Sequence, residues 1–271
     1  MSKEKFRYCL HLADNALILG QRNSEWTGHG PVLEQDIAIT NIALDLFGQA
    51  RNFFQYAADL YNGFTEKEKK EVDDLVPRPW KKFEREMQED DLAFLRDESQ
   101  YLNLLLVELP KGDWAVSILR QFFFSAFQSL QLKKLVNSND AQFSAIAEKS
   151  LKEVAYHVKW SGEWVIRLGD GTEESKRRLI TAVDTLWVYT GEMFQPATFE
   201  SLSGENDHLD IASLREEWLQ HITSVFELAT ISTPGKTWMQ KGGKEGIHTE
   251  HLGYLLSEMQ YLQRTYPNAT W

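Results

Sequence analysis

The sequence predicts an all-α fold, an up-down bundle of long helices with additional helices around it. Apolar residues recur at spacings of three and four nearly throughout, and few alternating runs compete with them. Only 7 prolines and 16 glycines interrupt 271 residues, which is sparse for a sandwich or barrel and ordinary for long helices. With 42% hydrophobic residues the chain can bury a large core, read here as one helical domain over residues 1–271.

Leu10, Leu12, Ala16, Leu17 and Leu19 outline a first helix over about residues 5–21. The stretch 24–30 reads as a loop, and Pro31 suits a first helical position, with Glu34 and Asp36 favouring the helix dipole. A second helix follows over about 32–61, broken in composition only by Gly48. A third is expected from Leu92 to Leu109, stopped by Pro110. The fourth, Trp114 to Val136, carries Phe122, Phe123, Phe124 and Phe127, is apolar nearly all round and should be central. Residues 137–140 form a turn and cap before a fifth helix over about 141–168. Further helices are expected over about 173–194, 210–230 and 249–265. Residues 66–91 differ: 17 of 26 are charged, and Pro77 and Pro79 lie among them. This charged insertion reads as a solvated excursion or loop, or alternatively as a docking arm.

Several function classes are disfavoured. The single cysteine, Cys9, permits no internal disulfide or all-cysteine metal cage and suits a reducing, cytoplasmic setting. No stretch approaches the roughly 20 apolar residues of a membrane span. The first residues show no export-type apolar run. A formal net charge of −11 argues against a general nucleic-acid binder.

Long-helix bundles invite a test for a di-metal centre. Such centres take a Glu from each of two helices and a Glu-x-x-His pair from each of two others, because i, i+3 residues share a helix face. Two Glu-x-x-His matches exist, Glu205/His208 and Glu245/His248, but both lie in glycine-containing loop sequence. On the central helices only a degenerate pattern survives. Asp14 is followed 31 residues later by Asp45 with Gly48, and Ser125 is followed 28 residues later by Glu153 with Tyr156. Glycine offers no ligand atom, and carboxylates without imidazole make a poor iron site. Metal ligands and catalytic residues are therefore expected to be absent, with Asp14, Asp45 and Glu153 clustered in mid-bundle. Gln49, Tyr156 and His157 are the nearby polar candidates, and Arg51 is expected to face outward. The competing reading is a free-standing di-iron or di-manganese oxidase using Asp14, Asp45, Glu153 and His157; a third is a helical interaction scaffold.

Longer blocks carry a family resemblance. They include Leu12–Asn15, Gly20–Arg22, Gly28–Pro31, Asn41–Asn52, Arg96–Ser99, Asn103–Glu108, Lys152–His157, Gly242–Gly253 and Glu258–Arg264. These blocks resemble the C subunits of bacterial phenylacetyl-CoA epoxidases. That resemblance implies a ferritin-like fold without most iron ligands. It also implies a structural and regulatory role, binding and stabilising a catalytic A subunit that holds the di-iron site and epoxidises the ring of phenylacetyl-CoA in aerobic phenylacetate catabolism. The chain itself is then expected to hold no cofactor and to self-associate when isolated.

Two surface expectations complete the reading. Gly235-Lys-Thr lacks the upstream glycine of a phosphate loop, its place being taken by Thr230. The neighbouring segment 234–246 is nevertheless basic and glycine-rich. Trp26 and His29 in the first loop, with Lys241, Lys244, His248 and His251 near the end, are the candidate contacts to a partner or to coenzyme A.

Overall fold

A computed structural model describes residues 2–200, 210–267 and 269. Among these residues the regular structure is entirely helical. Four long helices make the bundle: α1 (Ser2–Ser24), α2 (Leu33–Asn62), α6 (Trp114–Leu135) and α7 (Ala141–Gly169). Between α2 and α6 lie three short helices, α3 (Glu66–Glu71), α4 (Glu89–Phe94) and α5 (Leu105–Glu108). α8 (Glu173–Leu186) and α9 (Leu214–Leu228) pack on α6 and α7, and α10 (Glu250–Met259) and α11 (Tyr261–Thr265) follow them. α1 runs along α2, α6 along α7, and α2 meets α7 to join the two pairs.

The core is aromatic, as expected of the fourth helix. Phe122, Phe123, Phe124 and Phe127 of α6 are all buried and meet Phe6, Phe53, Phe54 and Phe143 in one continuous cluster. Asp140 shows how local sequence and packing combine. It caps α7 by accepting the N–H groups of Gln142 and Phe143, and the same carboxylate receives Lys5 of α1 and Tyr56 of α2. One residue thereby ties three helices at one end of the bundle.

Three expectations about elements need correction. Pro31 precedes α2 rather than opening it; the helix starts at Leu33, and Asp36 reaches back to accept the Gly30 N–H at 2.9 Å. The third helix is not continuous: α4 ends at Phe94, residues 101–104 are extended, and α5 lasts one turn. Residues 66–91 are not a loose excursion. Val72, Leu75, Val76 and Met87 are buried, and Arg7 holds Asp74 at 3.1 Å. Most of the charges sit outward around these apolar anchors, while Asp91 is buried and held by Arg85 at 2.6 Å.

Candidate functional site

α6 presents a row of polar side chains to the bundle interior. Ser117, Gln121, Ser125, Gln128 and Gln131 are all buried, spaced by four, four, three and three, so they share one face. Each is met from another element or turns back on its own helix. Trp26 Nε1 donates to Ser117 Oγ at 2.7 Å, and Asn23 Nδ2 donates to Gln121 Oε1 at 2.7 Å. Gln128 Nε2 donates to Gln49 Oε1 at 2.9 Å, and Gln131 Nε2 to the Tyr8 hydroxyl at 3.2 Å. Ser125 Oγ donates to the Gln121 carbonyl within its own helix.

The row continues across to α2 and α7. Gln49 Nε2 donates to Glu153 Oε2 at 2.9 Å, and His157 Nε2 pairs with Asp45 Oδ2 at 3.0 Å. The interior positions are therefore Gln49 and His157, both buried, not Gly48 and Tyr156. Gly48 faces solvent and Tyr156 is 47% exposed. At the two positions where a histidine is expected, the inward-facing residue is one later in the chain, a rotation of about 100° on an α-helix.

Asp14 does not join Asp45 and Glu153. It is fully buried, and its carboxylate takes both terminal nitrogens of Arg96 and the Leu102 N–H at 2.8 Å. Arg96 is equally buried. It donates to the carbonyls of Leu92 and Gln100 and lies against the rings of Phe54 and Tyr101. Beside Asp14 on α1, Asn15 accepts the Leu104 N–H at 2.8 Å and His11 Nδ1 donates to the Leu102 carbonyl at 2.6 Å. α1 thus supplies the hydrogen bonds that the extended segment 101–104 cannot make internally.

The other buried acids are equally committed. Glu108 accepts from Asn103 Nδ2, His248 Nδ1 and the Thr249 N–H at 2.8, 2.8 and 2.6 Å. Glu192 accepts the N–H groups of Leu105, Gly242 and Gly243. Gly243 must be glycine, since a Cβ there would lie 2.1 Å from the Asn103 carbonyl oxygen. Glu200 pairs with Lys244 at 2.7 Å. Burial pushes the carboxyls of Glu192 and Glu200 up and the Lys244 amine down, opposed in each case by these partners. Among the described residues, no three His, Cys, Asp or Glu side chains converge as metal ligands would.

The candidate contact residues divide. His29 and Lys241 are exposed, and His251 is half-buried. Trp26 is half-buried, edge-on to Trp114 with centroids 5.0 Å apart, and Lys111 lies over its ring. Lys244 and the His248 side chain are buried in the networks above, so neither is a surface contact. Lys241 and Lys244 border a cleft of about 320 Å³ whose wall also carries Arg7, Asp74, Glu192 and Glu245. Bases and acids balance there, so it is no anion pocket. Glu245 is exposed on a short turn, and Glu205/His208 lies outside the described residues. Sequence reasoning misses Arg96, Glu108, Glu192 and Glu200 as site residues, although the first two lie in blocks that carry the resemblance.

Comparison with known proteins agrees with that resemblance. The pattern of the phenylacetic acid catabolic protein family matches residues 1–271. The chain is 42% identical over 265 residues to the C subunit of the 1,2-phenylacetyl-CoA epoxidase of Escherichia coli (strain K12), covering 97% of this chain and 98% of that relative. The chain belongs to the phenylacetic acid catabolic protein family.

Proposed function

We propose that this member of the phenylacetic acid catabolic protein family is the structural and regulatory subunit of a multicomponent di-iron phenylacetyl-CoA 1,2-epoxidase. It binds a catalytic A subunit and maintains it, holds no metal or other cofactor itself, and works in the cytoplasm; alone, it self-associates. The relative's name, which makes it one subunit of an epoxidase, supports the assignment to such a complex.

One observation carries the non-catalytic part. Where a di-iron bundle aims carboxylates and histidines inward from four helices, this bundle aims an amide row, with Gln128 on Gln49 and Asn23 on Gln121. Its fully buried acid on α1, Asp14, is neutralised by Arg96. An amide–amide hydrogen bond forms without an ion, and a carboxylate held by a buried guanidinium is a poor metal donor. The free-standing oxidase reading keeps only Asp45, Glu153 and His157, and each of these is already hydrogen-bonded.

Iron analysis and capture of the catalytic subunit test the proposal together. Purified protein should contain far less than one iron per chain and retain a tagged A subunit on a column. Near-stoichiometric iron held by Asp45 and Glu153 would establish the oxidase instead, and failure to retain any catalytic subunit would leave the scaffold reading.

No helix of the described residues is long and apolar enough to cross a membrane.

A further inference from the structure

α2 carries an apolar stripe on its outward face. Leu33, Ile37 and Leu44 are 71%, 51% and 60% exposed, and Asn41, Gly48 and Arg51 continue the same line. The successive steps are four, four, three, four and three residues, which is one helix face. Tyr156 of α7, beside Asp45, extends the patch sideways. On the other flank is a cup of about 260 Å³, lined mainly by Leu17, Phe47, Ala50, Phe54, Ala93 and Phe94. An apolar strip next to an apolar cup is what a protein partner covers.

Gly48 interrupts this face. It sits in the middle of a 30-residue helix, where glycine is among the poorest choices. Its φ is not positive, and a Cβ built on it would meet nothing within 4 Å. Nothing in the described chain requires its missing side chain. At Gly243, by contrast, the chain's own backbone demands it.

We infer that the outward face of α2, centred on Gly48, is the surface on which a second protein docks, its backbone coming close at Gly48 and an apolar side chain entering the Phe47–Phe94 cup. The inference rests on the structural-subunit reading and names that subunit's contact face. The rim sets the partner's chemistry. Glu34, Asp45, Glu89 and Asp90 border the stripe, with Arg51 tied to Glu89 at 3.3 Å; on the α7 side, beside Tyr156, the charges are mixed, Glu163 facing Arg167 at 3.7 Å and Lys152 and Lys159 exposed. The whole chain is at −11. The complementary surface is apolar at its centre with lysines and arginines around it, which disfavours a second copy of this acidic chain.

Four variants of the full chain test this: Gly48→Ala, Gly48→Trp, Leu44→Asp, and Leu228→Asp as a control at an exposed position on α9. The readout is affinity for the purified catalytic epoxidase subunit, with thermal unfolding of each chain alone. Gly48→Ala should raise the unfolding midpoint of the isolated chain. Gly48→Trp and Leu44→Asp should keep native circular dichroism yet weaken capture at least tenfold, and Leu228→Asp should leave it unchanged. If wild type binds and both variants bind equally well, the face is wrong while the subunit reading stands. If wild type captures no catalytic subunit, that reading fails. Sedimentation then decides the face: self-association abolished by Gly48→Trp would make a second copy the occupant, and an unchanged monomer would remove the site; either result overturns the partner named here.

Discussion

Asp14 and Arg96, 82 residues apart, form a bidentate pair to which solvent has no access from either side. The pair fixes α1 against the segment that crosses it, because the same carboxylate holds the Leu102 N–H and the same guanidinium holds the carbonyls of Leu92 and Gln100. Removing one partner strands a buried charge, which costs about 3–5 kcal/mol. Arg96→Met and Asp14→Leu should each lower urea-measured stability by that order. The double variant should lose clearly less than the two losses added, since each single change already breaks the shared interaction. Strict additivity would show that the pair contributes nothing as a pair.

His248 and His11 differ in charge for a geometric reason. His248 faces two acceptors, Glu108 at Nδ1 (2.8 Å) and the Tyr101 carbonyl at Nε2 (2.9 Å), so both nitrogens must carry hydrogen. Burial alone would push its pKa down; Glu108 and the carbonyl more than reverse this, and the net direction is up. His11 instead donates from Nδ1 to Leu102 and accepts at Nε2 from Asn15, and burial, with Lys244 nearby, lowers its pKa to about 3. Nitrogen-15 NMR at neutral pH should find His248 as imidazolium and His11 as the neutral Nδ1–H tautomer.

The stability slopes follow with opposite signs. A raised native pKa means the His248 contribution is complete below the unfolded value of about 6.5 and is lost as pH rises through the native value. A lowered one means the unfolded chain takes up the His11 proton first, so stability falls by about 1.4 kcal/mol per pH unit from about 6.5 downward. Urea titrations of His248→Gln should lose the first slope and keep the second.

The bundle is legible in the sequence because α2 and α7 are long and periodic, α6 is long and apolar nearly all round, and Asp113 and Asp140 mark the starts of α6 and α7. The break after Phe94 is not, because its cause is 80 or more residues away: His11, Asp14 and Asn15 accept and donate for Leu102 and Leu104. Helical periodicity over 92–109 says nothing about a competing set of partners on another helix. The register slip at Gly48 and Tyr156 has a different origin. It lies within α2 and α7 themselves: Gln49 and His157 stand four residues after Asp45 and Glu153, Gly48 and Tyr156 three, and both spacings keep residues near one helix face, so sequence alone does not choose between them. Arg96 and Glu108 stand in plain view but give no local sign of their partners.

That register bears on metal binding. Gly48→His with Tyr156→His supplies the two missing imidazoles by sequence pattern, yet both side chains would start on the solvent side. Iron content should therefore stay at background. Gln49→Glu with Gln128→Glu changes side chains already in contact with each other and with Glu153, adjacent to the Asp45–His157 pair. That variant gathers three carboxylates, and elemental analysis should show raised iron or zinc. Equal loading of the two variants would reject the assignment of Gln49 as the interior position.

The end of the chain is a structural plug, and removing it is not a clean test of partner binding. Gly242 and Gly243 supply two of the three backbone N–H groups on Glu192; Lys244 is the counter-charge of Glu200; His248 and the Thr249 N–H serve Glu108. Deleting residues 242–271 would leave three buried carboxylates without most of their donors, each loss costing about 1–3 kcal/mol or more. Against a total stability of about 5–15 kcal/mol, the truncated chain should fail to fold by circular dichroism. The exposed aromatics of the same region, Tyr254, Tyr261 and Tyr266, are 58–71% accessible and hold no buried acid. Converting these three to serine should leave the unfolding midpoint nearly unchanged, and the affinity of that folded variant for the catalytic subunit then measures what the tail surface contributes. A truncated chain that stays native would show that the three carboxylates are satisfied by groups other than those of the tail.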